Sequence, residues 1–280
     1  AGFTPRLYEP EEQFSLLDRA NTEIGKGQQD RARADIKAAQ AVTPGNAMAI
    51  VLTAQLDVMN GKFQDANALL NKLSGMMAKM PSIYLLDAEV KLKLNQIALA
   101  ESDLNKLIAH LPNESKAYQM LAMIASRRGD SDRAAAMLEH ARQLAPKDVQ
   151  ILALLGQSYL SRGELGKAKE VFDQAVLLSP NDQRLQTAHA ISQFATGDAQ
   201  AAISQLSGIF KGGAGNLIAG PPLAFEALRS GRLDLAAATA EALVRRDPAN
   251  LVNQQLLAIV RVAQHNYPAA EVILRSILEK

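Results

Sequence analysis

The chain has 280 residues, of which 48% are hydrophobic and only 4% aromatic, and it contains no Trp and no Cys. Thirty basic and 29 acidic residues leave a formal charge of +1, so no overall field steers the chain toward nucleic acid. The lack of Cys excludes a disulfide framework and thiolate metal sites, and no apolar run reaches the ~18 residues that a membrane span needs.

The chain is predicted to begin with an extended lead-in over residues 1–12, which carry two Pro and no repeat signature. From residue 13 onward the sequence repeats every 34 residues, and the last repeat is cut short. The repeats begin at Gln13, Ala47, Pro81, Ser115, Val149, Gln183, Leu217 and Leu251. A period of this length is typical of stacked helical hairpins. We therefore predict an all-α solenoid of about eight repeats over 13–280.

Two columns of small residues indicate where the helices of each hairpin cross. The twentieth position is Ala in every repeat: Ala32, Ala66, Ala100, Ala134, Ala168, Ala202, Ala236 and Ala270. The eighth position is Ala20, Ala54, Ala88, Ala122, Gly156, Ala190, Ala224 and Ala258. Small side chains allow two helices to approach closely, so these columns predict tight helix–helix packing.

The fifteenth position predicts the turn inside each hairpin, since Gly and Asn tolerate the left-handed backbone that ends a helix. It is occupied by Gly27, Gly61, Asn95, Gly129, Gly163, Gly197, Gly231 and His265. Pro at position thirty-two, as in Pro180, marks the end of the second helix. The following Asp or Asn is predicted to cap the next helix: Asp148, Asp182 and Asn250 before first helices, and Asp130 and Asp198 before second helices.

The fifth repeat carries the clearest family signature, with Leu155-Gly156, Tyr159, Ala168, Phe172, Ala175 and Pro180. These residues match the pattern of the tetratricopeptide repeat, and the chain resembles that family over 13–280. The resemblance implies a right-handed α-solenoid that binds partners in a concave groove lined by first helices. Repeats one to three carry Glu23, Asp57 and Lys91 at the Tyr position, and we predict a charge ladder there that pairs Asp57 with Lys91.

Carrying the family's groove positions over to this sequence gives a set of candidate binding residues. They are Asn21, Gln55, Glu89, Lys93, Lys116, Gln119, Met123, Arg127, Gln157, Arg184, Ile191, Phe225, Arg229 and Ile259. The groove is predicted to be apolar at both ends and polar in the middle.

Residues 207–222 break the repeat pattern with a cluster of Gly and two consecutive Pro. Pro fits the first turn of a helix, so the first helix of repeat seven is predicted to begin late, near Pro221. Gly212, Gly213, Gly215 and Gly220 are interpreted as a hinge in the loop before it. A phosphate-binding loop is disfavoured, because no strand precedes the cluster and no Gly-Lys-Ser/Thr follows it.

The sequence predicts neither an enzyme nor a metal or cofactor site. His110, His140, His189 and His265 fall at four different repeat positions, so repetition does not gather them on one face. The motifs of Ser-His-Asp and His-Glu-x-x-His catalysis are absent.

Two stretches, 154–182 and 231–260, are similar to the long tetratricopeptide lipoproteins encoded with bacterial exopolysaccharide and exosortase (PEP-CTERM) systems. That similarity implies a periplasmic scaffold, tethered to the outer membrane, for assembly of a polysaccharide or protein export system. Membrane attachment is expected only through an anchor outside residues 1–280. The alternatives are a cytoplasmic location, and the periplasmic repeat region of a cellulose-type outer-membrane secretion protein that contacts the synthase or the glycan itself.

A protein or peptide in the groove is the expected partner, and a polysaccharide is the alternative. The scarcity of aromatic residues disfavours the polysaccharide, because sugars commonly stack on Trp or Tyr. Nucleic acid is not expected. The chain stops inside its last second helix, so we expect a piece of a longer repeat array, with self-association through the uncapped C-terminal repeat as the alternative.

Overall fold

The computed structural model describes residues 10–212 and 217–279, and the side chains from residue 14 onward within these ranges. The described residues form 16 α-helices and two 3-10 helices, with no strand among them. Contacts divide them into two units, with the boundary between Arg128 and Gly129. The all-α fold class is therefore confirmed.

The first unit holds three helical hairpins and one further helix. Its helices are α1 (Pro10–Gly25), α2 (Gln29–Val42), α3 (Ala47–Met59), α4 (Phe63–Asn71), α5 (Ile83–Lys93), α6 (Ile97–His110) and α7 (Ser115–Arg127). A 3-10 helix, Met77–Lys79, lies between α4 and α5. The helix α4 is short, with 9 residues against 14 in the second helices α2 and α6. It ends before Gly75, and the buried Leu73 and Met77 keep the segment after it packed against the unit.

The second unit holds one helix followed by four hairpins. Its helices are α8 (Ser131–Leu144), α9 (Val149–Ser161), α10 (Leu165–Leu178), α11 (Gln183–Ala195), α12 (Ala199–Lys211), α13 (Gly220–Arg229), α14 (Leu233–Arg246), α15 (Leu251–Ala263) and α16 (Tyr267–Leu278). A 3-10 helix, Leu217–Ala219, precedes α13. In each unit, a first helix packs on the second helix of its own repeat, and that second helix contacts the next first helix.

The predicted small-residue columns form the centre of each hairpin. Every Ala at position twenty is buried, from Ala32 at 0% exposure to Ala270 at 3%. The one Gly at position eight, Gly156, faces the ring of Phe172, and a Cβ there would lie 2.7 Å from Cζ of that ring. Small residues are thus required wherever the paired helices approach most closely.

The turn and cap predictions are confirmed. All eight residues at position fifteen have positive φ, including Asn95 at 60° and His265 at 59°. The Asp148 carboxylate accepts hydrogen bonds from the backbone amides of Gln150 and Ile151, at 2.9 and 3.1 Å. Asp182, Asn250, Asp130 and Asp198 cap their helices in the same way. The backbone N–H groups that a helix start leaves unpaired are satisfied locally at these positions.

The predicted pairing of Asp57 with Lys91 is wrong. The Nζ of Lys91 donates to Asp87, at 2.7 Å, and also to Asp103. Both carboxylates belong to the same repeat as Lys91 and are buried. Lys91 therefore links the two helices of its own hairpin, because its side chain is directed across the hairpin and not along the stack.

The Tyr position makes an inter-repeat contact where it carries Tyr or Arg in the second unit. The Tyr159 hydroxyl donates to Glu139, on the second helix of the preceding repeat. Arg261 and Glu241 occupy the same positions three repeats later, and they form an ion pair. Tyr159 and Arg261 thus reach the second helix of the preceding repeat, whereas the ladder prediction joined first helices.

Candidate functional site

An open apolar pocket of about 480 Å³ lies on the face that the first helices α11, α13 and α15 form in the second unit. Ile191, Phe225 and Ile259 each occupy position nine of their repeats, 34 residues apart, and all three line it. The remaining lining residues are Pro221, Pro222, Glu226, Val252, Gln255 and Leu256. Repetition of one apolar position through three repeats therefore builds a continuous apolar surface.

Large apolar side chains of the pocket are exposed to solvent. Phe225 is 51% exposed, Ile259 is 53% exposed and Val252 is 65% exposed. On α13, which carries Phe225, the apolar residues Leu223 and Ala227 are buried in the core. A contiguous exposed apolar patch of this kind marks an interaction surface more often than isolated apolar residues do.

The late start of α13 contributes to the pocket wall. As predicted, this helix begins at Gly220, with Pro221 and Pro222 in its first turn. Pro is tolerated there because its missing N–H would have no helical partner. The two rings present apolar surface to the pocket without an amide donor, so the segment that interrupts the repeat pattern also shapes the site.

Glu226 is the one charged residue among those lining the pocket. It is only 8% exposed, and its Oε2 is buried without a hydrogen-bond partner among the described residues. Burial raises the pKa of this carboxyl, and the positive charge of Arg229 opposes part of that rise. Glu226 is the one charged residue at position ten of the repeats. Its equivalents are the buried apolar residues Leu56, Val90, Ile124 and Val260, the buried polar residues Ser158 and Ser192, and the exposed Thr22.

Arg229 lies near this carboxylate but is held by another contact. Its guanidinium Cζ is 4.9 Å from the centroid of the Phe194 ring, an arrangement that favours a cation–π interaction. Its Nη1 is 3.9 Å from Oε2 of Glu226, which is longer than the 2.7–3.2 Å of an N–H···O hydrogen bond. The carboxylate therefore has a cation nearby and unused hydrogen-bonding capacity.

The structure brings together only some of the predicted groove residues of the second unit. Ile191, Phe225 and Ile259 meet in the pocket, and Arg229 lies one helical turn from Phe225. Gln157 and Arg184 are exposed but do not line the pocket. Sequence reasoning did not select Glu226, although it is the one charged residue at position ten of the repeats.

The predicted groove residues of the first unit differ in how far they are exposed to solvent. Asn21, Lys93, Lys116, Met123 and Arg127 are exposed, and Gln55 and Glu89 are half-buried. The prediction of Gln119 as a groove residue is wrong, because its side chain is buried, with 9% exposure. It stands at position five, where Leu17 and Thr187 are buried as well, so this position packs against neighbouring residues in these repeats.

The Gly residues interpreted as a hinge fall in three different settings. Gly212 directly follows α12 as its C-terminal cap, and Gly213 and Gly215 lie outside the described residues. Gly220 is buried, and a Cβ there would lie 2.6 Å from Cδ2 of Leu243 and 2.8 Å from Cε2 of Phe210. Close packing, rather than freedom of the backbone, accounts for Gly220.

His189, on α11, contacts side chains of the two neighbouring helices α10 and α12. Its Nε2 is 2.6 Å from Oδ1 of Asp173, and its Nδ1 is 3.2 Å from Oε1 of Gln205. Within residues 10–212 and 217–279, no three His, Cys, Asp or Glu side chains are grouped as metal ligands. No helix in that part of the chain has the length and hydropathy of a membrane span.

The tetratricopeptide repeat family matches residues 125–191, which include the whole of repeat five. No curated protein matches the chain. The sequence match thus covers the repeat in which the family signature is clearest.

Solved structures are similar over more of the chain. A tetratricopeptide repeat protein from Parabacteroides merdae is 18% identical, with a TM-score of 0.59 over 89% of this chain and 99% of that one. The C-terminal part of a repeat-containing protein from Cytophaga hutchinsonii is 16% identical, with a TM-score of 0.64 over 86% of this chain and 99% of that one. A chain of the APC/C hetero-tetramer Cut9–Hcn1 is 17% identical, with a TM-score of 0.63 over 97% of this chain and 54% of that one. The fold they share with this chain is a stack of helical repeats.

Proposed function

We propose that this chain, a tetratricopeptide-repeat protein, is a non-enzymatic scaffold that binds a protein or peptide partner on the first-helix face of its second unit. The observation that carries the proposal is the apolar pocket, which Ile191, Phe225 and Ile259 line from three successive repeats and in which Phe225, Ile259 and Val252 leave large side chains exposed. Burial of exposed apolar area is the main favourable term in protein association, at about 25 cal/mol per Å².

A peptide is a better fit to this pocket than a glycan. The lining residues are predominantly aliphatic, with Phe225 the one aromatic side chain among them. Aliphatic side chains and Pro bind apolar side chains well, whereas a glycan needs hydrogen-bonding groups, of which the lining offers only Glu226 and Gln255.

The test is capture of partners with matched surface variants. Phe225→Ser should abolish capture of the physiological partner, whereas Leu177→Ser should leave it intact. Leu177 is 82% exposed on α10 and does not line the pocket, so it controls for loss of an exposed apolar side chain. Both substitutions change exposed residues, and circular dichroism should show both variants folded. Equal capture by the two variants would rule out the pocket as the binding surface.

We also propose a role in the bacterial envelope, in assembly of an export system for exopolysaccharide or protein. This rests on the similarity of 154–182 and 231–260 to lipoproteins of such systems. Fractionation of the source organism should place the protein in the periplasm or outer-membrane fraction, and crosslinking there should recover export components. Recovery in the cytoplasmic fraction would contradict this part of the proposal.

The glycan-binding alternative predicts a different result from the same protein. Titration with exopolysaccharide fragments, followed by nuclear magnetic resonance, would shift the signals of Phe225 and Gln255 if the pocket bound sugar. We expect no shift at these residues.

A further inference from the structure

We propose that the pocket selects a peptide segment in which a Lys or Arg side chain is flanked by apolar residues, and that Glu226 pairs with that basic group. This inference rests on the proposed function, since it names the chemistry of the partner at the same pocket.

The first step is the cost of placing a carboxylate at this position. Position ten is buried and uncharged in six of the other seven repeats, with Leu56, Val90, Ile124 and Val260 exposed by 2% or less and Ser158 and Ser192 by 8% or less. An apolar residue would fit the same place in repeat seven and would need no partner. A buried carboxylate is unfavourable unless it is paired and hydrogen-bonded. Glu226 therefore lowers the stability of the unbound chain and has no evident structural role.

The second step is the lack of a sufficient partner within the chain. Oε2 has no hydrogen bond among the described residues, and the nearest cationic nitrogen recorded is Nη1 of Arg229, at 3.9 Å. The Arg229 side chain is 59% exposed and its guanidinium stacks on Phe194, so it neutralises the carboxylate only in part. By comparison, the buried Asp87 accepts a hydrogen bond from Lys91 at 2.7 Å. The carboxylate of Glu226 thus keeps hydrogen-bonding capacity, and the donor of a ligand would approach it through the 10% of the side chain that is exposed at the pocket.

The third step is the chemistry of the surroundings. Glu226 lines the same pocket as Ile191, Phe225 and Ile259, so its charge is set in an apolar surface. A ligand with apolar side chains would exclude water from the pocket and strengthen an ion pair with Glu226. Charge complementarity then favours a basic side chain and disfavours an acidic one, which would be repelled by the buried carboxylate.

The experiment starts from a random peptide library displayed on phage. The library is depleted on the Phe225→Ser variant and then selected on the wild-type chain, which retains peptides that depend on the pocket. Selected peptides are synthesised in two forms, one with the basic residue and one with norleucine in its place. Isothermal titration calorimetry measures both forms against wild type, Glu226→Gln and Glu170→Gln. Glu170 is an exposed residue of α10 outside the pocket, and it controls for the loss of one carboxylate.

We expect the selected peptides to carry Lys or Arg between apolar residues. Norleucine should weaken binding to wild type on the order of tenfold to a hundredfold, as expected for loss of a hydrogen bond to a charged group. The same replacement should have little effect with Glu226→Gln and the full effect with Glu170→Gln. A second variant, Glu226→Val, introduces the residue that repeats three and eight carry at this position, Val90 and Val260. It should behave as Glu226→Gln does.

Three results would overturn the inference. The first is that pocket-dependent peptides carry no basic residue, and the second is that norleucine weakens binding to Glu226→Gln as much as to wild type. In either case the pocket binds peptides, but Glu226 does not determine which ones. If no selected peptide depends on Phe225, both this inference and the proposed function fail.

Discussion

The contact between Gly156 and Phe172 predicts a compensating pair of substitutions. A Cβ on Gly156 would lie 2.7, 2.8 and 2.9 Å from three atoms of the Phe172 ring, distances that real Cβ atoms do not tolerate. The ring is 1% exposed, so it has little room to move. Other repeats solve the same packing with Ala and Leu, as in Ala54 with Leu70.

The magnitude follows from two opposing effects. Gly156→Ala gains about 1 kcal/mol of helix propensity, because Gly is the poorer helix former. Overpacking against the ring costs about 1–3 kcal/mol. The net result is therefore a loss of up to about 2 kcal/mol. Phe172→Leu alone should also destabilise the chain, by about 1–2 kcal/mol, because it leaves part of the ring's volume empty.

The double variant should recover most of these losses, since Ala and Leu together reproduce the packing of the other repeats. Urea denaturation followed by circular dichroism measures all four proteins, and the coupling free energy should be at least about 1 kcal/mol in favour of the double variant. Additive single effects, or a Gly156→Ala variant stabilised by the full propensity gain, would refute the packing argument.

Three further predictions concern the core, a helix cap and the buried charges. Ala168→Leu should cost about 1–3 kcal/mol by overpacking the helix crossing, and an unchanged melting temperature would contradict the role of the column. Asp182→Ala should cost about 1 kcal/mol, because two backbone amides at the start of α11 lose their acceptor; thermal unfolding measures it. Glu226→Gln should stabilise the chain at neutral pH. Burial raises the pKa of this carboxyl, so its charged form is disfavoured in the folded state and stability falls as pH rises through that pKa. The advantage of Gln should therefore be complete above the raised pKa and shrink as pH falls from it toward about 4.3, the usual pKa of Glu, below which the carboxyl is protonated in both states; an advantage that is equal at all pH values would exclude the burial of charge as its cause.

The repeat architecture was predictable because its signals are local or strictly periodic. Ala at position twenty indicates close helix packing wherever it recurs, and Gly27 or Asn95 marks a left-handed turn irrespective of what packs around it. The cap at Asp148 needs only the amides two and three residues ahead. For these features, spacing along the chain is enough, since the interacting groups are neighbours in sequence.

The electrostatic and binding features needed the tertiary structure. Lys91 was assigned to the wrong partner, because sequence spacing does not tell whether a long side chain reaches across its hairpin or along the stack. Gln119 was placed on an exposed face for the same reason, and the packing of its helix buries it instead.

The pocket combines both kinds of information. The recurrence of apolar residues at Ile191, Phe225 and Ile259 was already present in the sequence, and it follows from the 34-residue period. Only the packed helices show that Pro221 joins them in one surface and that the carboxylate of Glu226 lies buried beside it. The period determines which residues share a position, whereas burial depends on what the neighbouring helices place over each side chain.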